Sequence, residues 1–369
     1  MRDERIEKLA DLLVNYSVAV KPGDKVAIRT STLAEPLAKA VYVKVLQAGG
    51  LPLMMPTMPG VQELFFQYAS DDQLGYVNEV FKHVVTTFDV IITLVADANT
   101  KGLSRVDPAK TVKVSQANRD VMNTFMERAA RGELRWTLTL FPTDAHAQDA
   151  EMSLNEFEDF VYGSILVDAN DPVGYWKHFS ARQEKIVNWM KGKKHVHVIG
   201  DETDLHLSVA GRTFINCDCR CNVPDGEIFT GPVEDSLEGH VKFSYPAIFN
   251  GREVEGVHLW FEKGRVVKAT ADKNEDFLLK TLDTDAGARS VGEFAIGTNE
   301  GITRFTREIL FDEKIGGSFH MALGAGYPET GSQNVSAIHW DMICDLRNGG
   351  EIWVDDELFY KNGKFAIEF

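Results

Sequence analysis

The texture of the chain changes near Lys194, and that change limits the folds open to it. Before it, strand-like runs alternate with amphipathic helical stretches. Residues 3–17 carry Ile6, Leu9, Ala10, Leu13 and Val14 at helical spacing. KPGD then turns into the short strand KVAIRT, a helix over 33–48 closes at Gly49-Gly50, and LPLMM follows as the next strand. A helical region over 61–82 precedes DVIITLVA, whose unbroken apolar run suits a strand buried on both faces. A helix over 108–131 leads into RWTLTLFPT, and a helix with Trp176, Phe179, Ile186 and Trp189 on one side ends the half. This alternation predicts an α/β amino-terminal domain with a mostly parallel sheet over residues 1–194.

From residue 195 the pattern is short alternating strands with turn residues between them: HVHVIG, LHLSVAG, RTFINCDCR, EIFTG, VEGVHLWFEKGRVVKAT and SVGEFAIG. One helix is expected among them, around Thr303–Phe311. The prediction is a strand-rich α+β carboxy-terminal domain over 195–369, built as an antiparallel barrel or curved sheet. A length of 369 residues suits two domains better than one core.

Composition narrows the function classes. A hydrophobic share of 44% and a charged share of 25% are those of a soluble globular protein. The net charge of -16 argues against a sequence-independent nucleic-acid binder, which needs basic patches. The opening MRDERIEKLADLLVNY is charged and amphipathic, unlike a secretory signal. The longest apolar stretch, Val84 to Ala96, is broken by Asp89 and falls short of the roughly 20 residues of a membrane span. A cytoplasmic protein with no membrane partner is therefore expected. KVAIRTSTLAEP carries neither GxGxxG nor GxxxxGK[ST], so nucleotide binding in the first half is not indicated. Three of four cysteines lie in CDCRC; as a strand it would put three thiols on one face, and reduced structural thiols are expected.

The chemistry concentrates late in the chain. On a strand, successive side chains face opposite ways. In SAIHWDMICDL, His339 and Asp341 therefore share a face, with Ile338, Trp340 and Met342 behind. In GGSFHMALG, His320 goes with Ala322, against Phe319 and Met321. Small neighbours leave room on the polar side. With Glu227 of NVPDGEIFTGP and Glu293 of SVGEFAIGTN, these make two imidazoles and three carboxylates, a set suited to zinc, cobalt, manganese or iron. Three carboxylates balance two divalent cations plus a hydroxide, whereas without metal they repel. Spacing alone does not bring Glu227 and Glu293 to the others. No HExxH, GxSxG or catalytic-cysteine context is present, and the other eight histidines, which lack ligand spacing, are read as structural.

These residues carry a resemblance. From LADLLVNYSVAVKPGDKVAIRT onward, and most densely in PDGEIFTGP, GEFAIGTNEGI, ILFDEKIGGSFHMALGAGY and NVSAIHWDMICDLR, the chain resembles the M29 metallopeptidases of the aminopeptidase T and S group. The resemblance implies a two-domain homodimer that removes amino-terminal residues from peptides with two divalent ions (zinc, cobalt, magnesium or manganese). It implies Glu227, Glu293, His320, His339 and Asp341 as the metal ligands and Tyr327 as the active-site tyrosine. Glu293 is the ligand carboxylate considered for a catalytic role as base. The segment between Tyr327 and His339 is shorter than in some members, which narrows the loop beside the site. Some proteins resembling this family are iron-dependent dioxygenases that open dihydroxypyridine rings. For that alternative, His320, His339 and Asp341 would suffice for one iron.

Overall fold

The computed structural model describes residues 3–368, and the chain divides into two compact units. The first comprises residues up to Gly174 together with Cys219–Pro224. Its sheet is wholly parallel, in the order Leu51–Thr57, Lys25–Ser31, Val90–Val95, Arg135–Leu140, Asn222–Val223. Val90, Ile91, Ile92 and Leu94 are buried, as the unbroken apolar run predicts. The helices Glu35–Gln47 and Pro108–Ala130 lie where helical spacing puts them. The region read as helical over 61–82 is three short helices, Val61–Tyr68, Asp71–Leu74 and Glu79–Thr87. Ser70 and Gln73 make a reciprocal capping box, and the Asn78 side chain accepts from Val80 and Phe81, so the chain restarts twice.

The second unit comprises Tyr175–Asp218 and the residues from Asp225 onward. The division lies within the first turn of the Pro172–Met190 helix, and Ile186 and Met190 of that helix belong to the second core. Two antiparallel sheets share that core. The larger has eight strands, ordered Arg265–Thr270, His258–Glu262, Glu238–Lys242, Thr203–Ser208, His195–Gly200, Glu351–Val354, Glu357–Lys361, Lys364–Phe365. The smaller has five, ordered His339–Asp345, Ser318–Gly324, Val291–Gly297, Glu227–Thr230, Ile215–Cys217. Val196, Val198, Leu205 and Leu207 from the first meet Ile228, Phe294, Ile296, Phe319, Met321, Trp340 and Met342 from the second.

Strand alternation then decides what the other face of the smaller sheet carries. With Phe294, Phe319, Met321, Trp340 and Met342 committed to the core, Glu293, His320, His339 and Asp341 must point away from it. One expectation fails here. The helix read over Thr303–Phe311 shrinks to Ile309–Asp312, because Asp312 Oδ1 accepts from the Thr306 backbone (2.7 Å) and hydroxyl (2.8 Å) and holds the preceding segment out of the helix. The longer helix in this half is Glu275–Leu282, which buries Leu278, Thr281 and Leu282.

Candidate metal centre

Four strands deliver the five expected ligands to one face. Register puts Ala322 between Glu293 and Asp341, and Ala295 beside His320. Glu227 lies opposite Gly297 on the neighbouring strand. Methyl groups or nothing at these intervening positions let the long acidic and imidazole side chains converge. His320 Nε2 lies 3.4 Å from Glu227 Oε2 and 3.5 Å from Glu293 Oε1. His339 Nε2 lies 3.3 Å from Glu293 Oε2 and 3.5 Å from Asp341 Oδ1. Two donor triads result, Glu227–Glu293–His320 and Glu293–His339–Asp341, and Glu293 belongs to both.

His339 is aimed by its other nitrogen. Nδ1 donates to the Ala325 carbonyl at 2.8 Å, so Nε2 faces the acids. Tyr327 packs edge-on against His339, ring centroids 5.2 Å apart, and against Phe229 at 5.3 Å. Glu227, Glu293 and His320 are buried, whereas the His339 side chain keeps 27% of its exposure, so the cluster opens to solvent on the His339 side.

The residues fit a cation. Glu227 Oε2, Asp341 Oδ1 and His320 Nδ1 are buried yet make no hydrogen bond, which ordinarily costs about 1–3 kcal/mol for each such group. Burial works against protonation of His320, but the bond with Glu293 and the charges of Glu227, Glu293 and Asp341 prevail and push it up to about 9. For His339, burial is likewise outweighed by Asp341 and Glu293, which push it up to about 12. Burial drives Glu227 the other way, well above the carboxylate range. Acids that draw protons so strongly onto neighbouring imidazoles mark a place lacking positive charge.

Comparison with known proteins bears on this geometry. The family model described as thermophilic metalloprotease (M29) matches residues 2–365. The chain belongs to the M29 family. Aminopeptidase 2 of Geobacillus stearothermophilus is 24% identical over 99% of this chain and 98% of its own length. Aminopeptidase T of Thermus thermophilus is 27% identical over 88% of this chain and 85% of its own. In fold, this M29 chain is similar to wild-type AmpT from Thermus thermophilus, with a TM-score of 0.87 and 22% identity over 98% of this chain and 99% of that one. It is more distantly similar to the 2,5-dihydroxypyridine dioxygenase of Pseudomonas putida, with a TM-score of 0.59 and 12% identity over 98% and 97% of the two chains.

Two residues beside the candidate site escape the sequence reading. Lys314 is fully buried, pairs with Glu313, and lies 3.9 Å from Glu227 Oε1. Glu313 in turn comes together with His320 and Asp341. In sequence, FDEKIGG reads as a solvated charged turn; its nearness to His320 is the only hint. The cysteines also depart from expectation. The strand stops at Cys217, beside Asp225 and Glu227, and Cys219 takes φ +67, so the three thiols do not share a face. Cys217 belongs to the second unit, Cys219 and Cys221 to the first. Finally, His197 and His206, read as structural, do lie at ligand distance from each other and from Asp204, across two strands.

Proposed function

We propose that this chain is a dinuclear metal-dependent aminopeptidase that removes amino-terminal residues from peptides. The observation that carries the reading is the sharing of Glu293 between two donor triads, which suits two adjacent divalent ions. Glu227, Glu293 and His320 would hold one, and Glu293, His339 and Asp341 the other, with zinc, cobalt, magnesium and manganese as the candidates. When bound, such ions supply Lewis acidity that lowers the pKa of water and polarises a carbonyl.

The chain's own groups do the rest. Burial, reinforced by the charges of Glu293 and Asp341, keeps the Tyr327 phenol protonated. Its hydroxyl donates to the oxygen that becomes negative as the peptide carbonyl is attacked, a contribution of about 2.7–4 kcal/mol. Glu313 takes the proton that the attacking water loses and delivers it to the departing amine nitrogen as the amide C–N bond breaks. Burial raises its affinity for one despite the adjacent Lys314, and it stands beside His320 and Asp341. Glu293 reaches both imidazoles, so in this reading its oxygens serve to hold ions, and the base role passes to Glu313. The buried acids also suit a substrate's free α-ammonium group, which ties cleavage to the chain end.

A single iron on His320, His339 and Asp341 is the rival arrangement, and it leaves no role for the buried Glu227 and Glu293 beside both imidazoles. The likeness to the dioxygenase carries the fold alone. The family resemblance adds a homodimer to the proposal, and the expected cytoplasmic location stays part of it. Among the described residues, no helix is long and apolar enough to cross a membrane. Aminoacyl-nitroanilides, offered with and without a chelator, test the reading. Release is expected only with divalent metal and only from free amines. Ring opening of a dihydroxypyridine without amide hydrolysis would overturn it.

A further inference from the structure

We propose that His197, Asp204 and His206 form a second, surface site for a divalent transition ion such as zinc, separate from the buried centre. All three stand on the hairpin made by the His195–Gly200 and Thr203–Ser208 strands. His197 and His206 are directly opposite in the antiparallel register. Asp204, two residues before His206, emerges on the same face. The two imidazoles stack with centroids 3.8 Å apart and planes 16° from parallel. His197 Nε2 lies 2.8 Å from Asp204 Oδ1, and His206 Nε2 lies 3.5 Å from the same oxygen. Bonds of 2.0–2.1 Å in a tetrahedral zinc site separate neighbouring donors by about 3.3 Å. The observed distances bracket that value, so the three atoms need only small rotations to enclose an ion.

The hairpin is a rigid support. Val196, Val198, Leu205 and Leu207 alternate with the three ligands and are locked into the core behind them. The neighbouring imidazole on the next strand, His240, is opposite Asp204 but turned elsewhere, with Nδ1 3.1 Å from the Glu202 carbonyl and 3.3 Å from His258 Nε2. Two imidazoles and one carboxylate favour zinc, nickel or copper over magnesium and calcium, which prefer oxygen shells. The side chains of His206 and Asp204 are largely exposed, so water can complete the coordination. An ion here would staple the two strands at their solvent face and add one equivalent to the metal carried by the buried acids.

Equilibrium dialysis of the metal-stripped full chain against zinc tests the assignment. Wild type is expected to hold one equivalent more than His206→Ala, and His197→Gln is expected to lose the same equivalent by a different substitution. His195→Ala, on the same strand but outside the cluster, should match wild type, and activity in excess metal should survive in all three. Magnesium should leave wild type and His206→Ala equal. Equal zinc contents in wild type, His206→Ala and His197→Gln would overturn the site, and an extra equivalent of magnesium in wild type would overturn the assignment of its ligand class.

Discussion

At the scale of single residues, the site depends on charge balance in a buried place. His339→Ala and Asp341→Ala each dismantle the triad that Glu293 shares with the other. Both are expected to lose bound metal and to drop hydrolysis to background while circular dichroism stays native. Wild-type turnover in either would remove that residue from the site. Tyr327→Phe should keep its metal and lose about 10²–10³-fold in kcat, measured on an aminoacyl-nitroanilide. Lys314 is the cation that lets Glu313 and Glu227 share the interior, so Lys314→Met should destabilise the protein by about 3–5 kcal/mol in denaturant unfolding. A loss under about 1 kcal/mol would contradict that role.

The pH dependence of the metal-free protein follows from the same charges. His320 and His339 are held at about 9 and about 12, both above the ordinary 6.5. Folded values above the unfolded one mean that protonation favours the fold. That stability is fully present below about pH 6.5 and is lost as pH rises, first through about 9. In chelated protein, Tm should therefore fall between about pH 7 and about pH 9, while metal-loaded protein, in which the ions replace those protons, should fall less. Parallel melting profiles in the two states would contradict this.

At the scale of elements, strand alternation made most of the candidate site legible. HWDMICD and SFHMALG each have an apolar set that can only enter a core, so the positions of His320, His339 and Asp341 follow from period two alone. Bringing Glu227 and Glu293 beside them does not follow, because sheet order depends on pairings far apart in sequence. Glu313 and Lys314 were illegible for another reason: adjacent charges read as solvated, and only tertiary packing buries them. The helix expected over Thr303–Phe311 was lost to the Thr306–Asp312 contacts, which hydrophobic periodicity does not register. A glycine tests how the strands aim the ligands. Gly292 precedes Glu293 at a bulge, and a Cβ there would meet the Ala325 carbonyl oxygen at 2.2 Å. Ala325 O also orients His339, so Gly292→Ala disturbs two of the proposed ligands at once. Metal affinity is expected to weaken about 10–100-fold, read by competition with a chromophoric chelator. Unchanged affinity would mean that the loop yields without moving either ligand.

At the scale of the whole molecule, the parallel sheet and the strand-rich half were visible in the change of texture along the chain. Their limits were less visible, since the helix around Ile186 reads equally well as the end of one half or the start of the next. The resemblance is densest in four sequence blocks, and each of the four contributes a strand to the five-stranded sheet. Everything in the functional reading rests on those strands holding two ions through a common Glu293. Anomalous diffraction from crystals of metal-loaded His206→Ala protein tests this most directly. Two peaks are expected in the buried cluster, one reached by Glu227, Glu293 and His320 and the other by Glu293, His339 and Asp341. A single peak bound by His320, His339 and Asp341, with Glu227 and Glu293 turned away, would contradict the account.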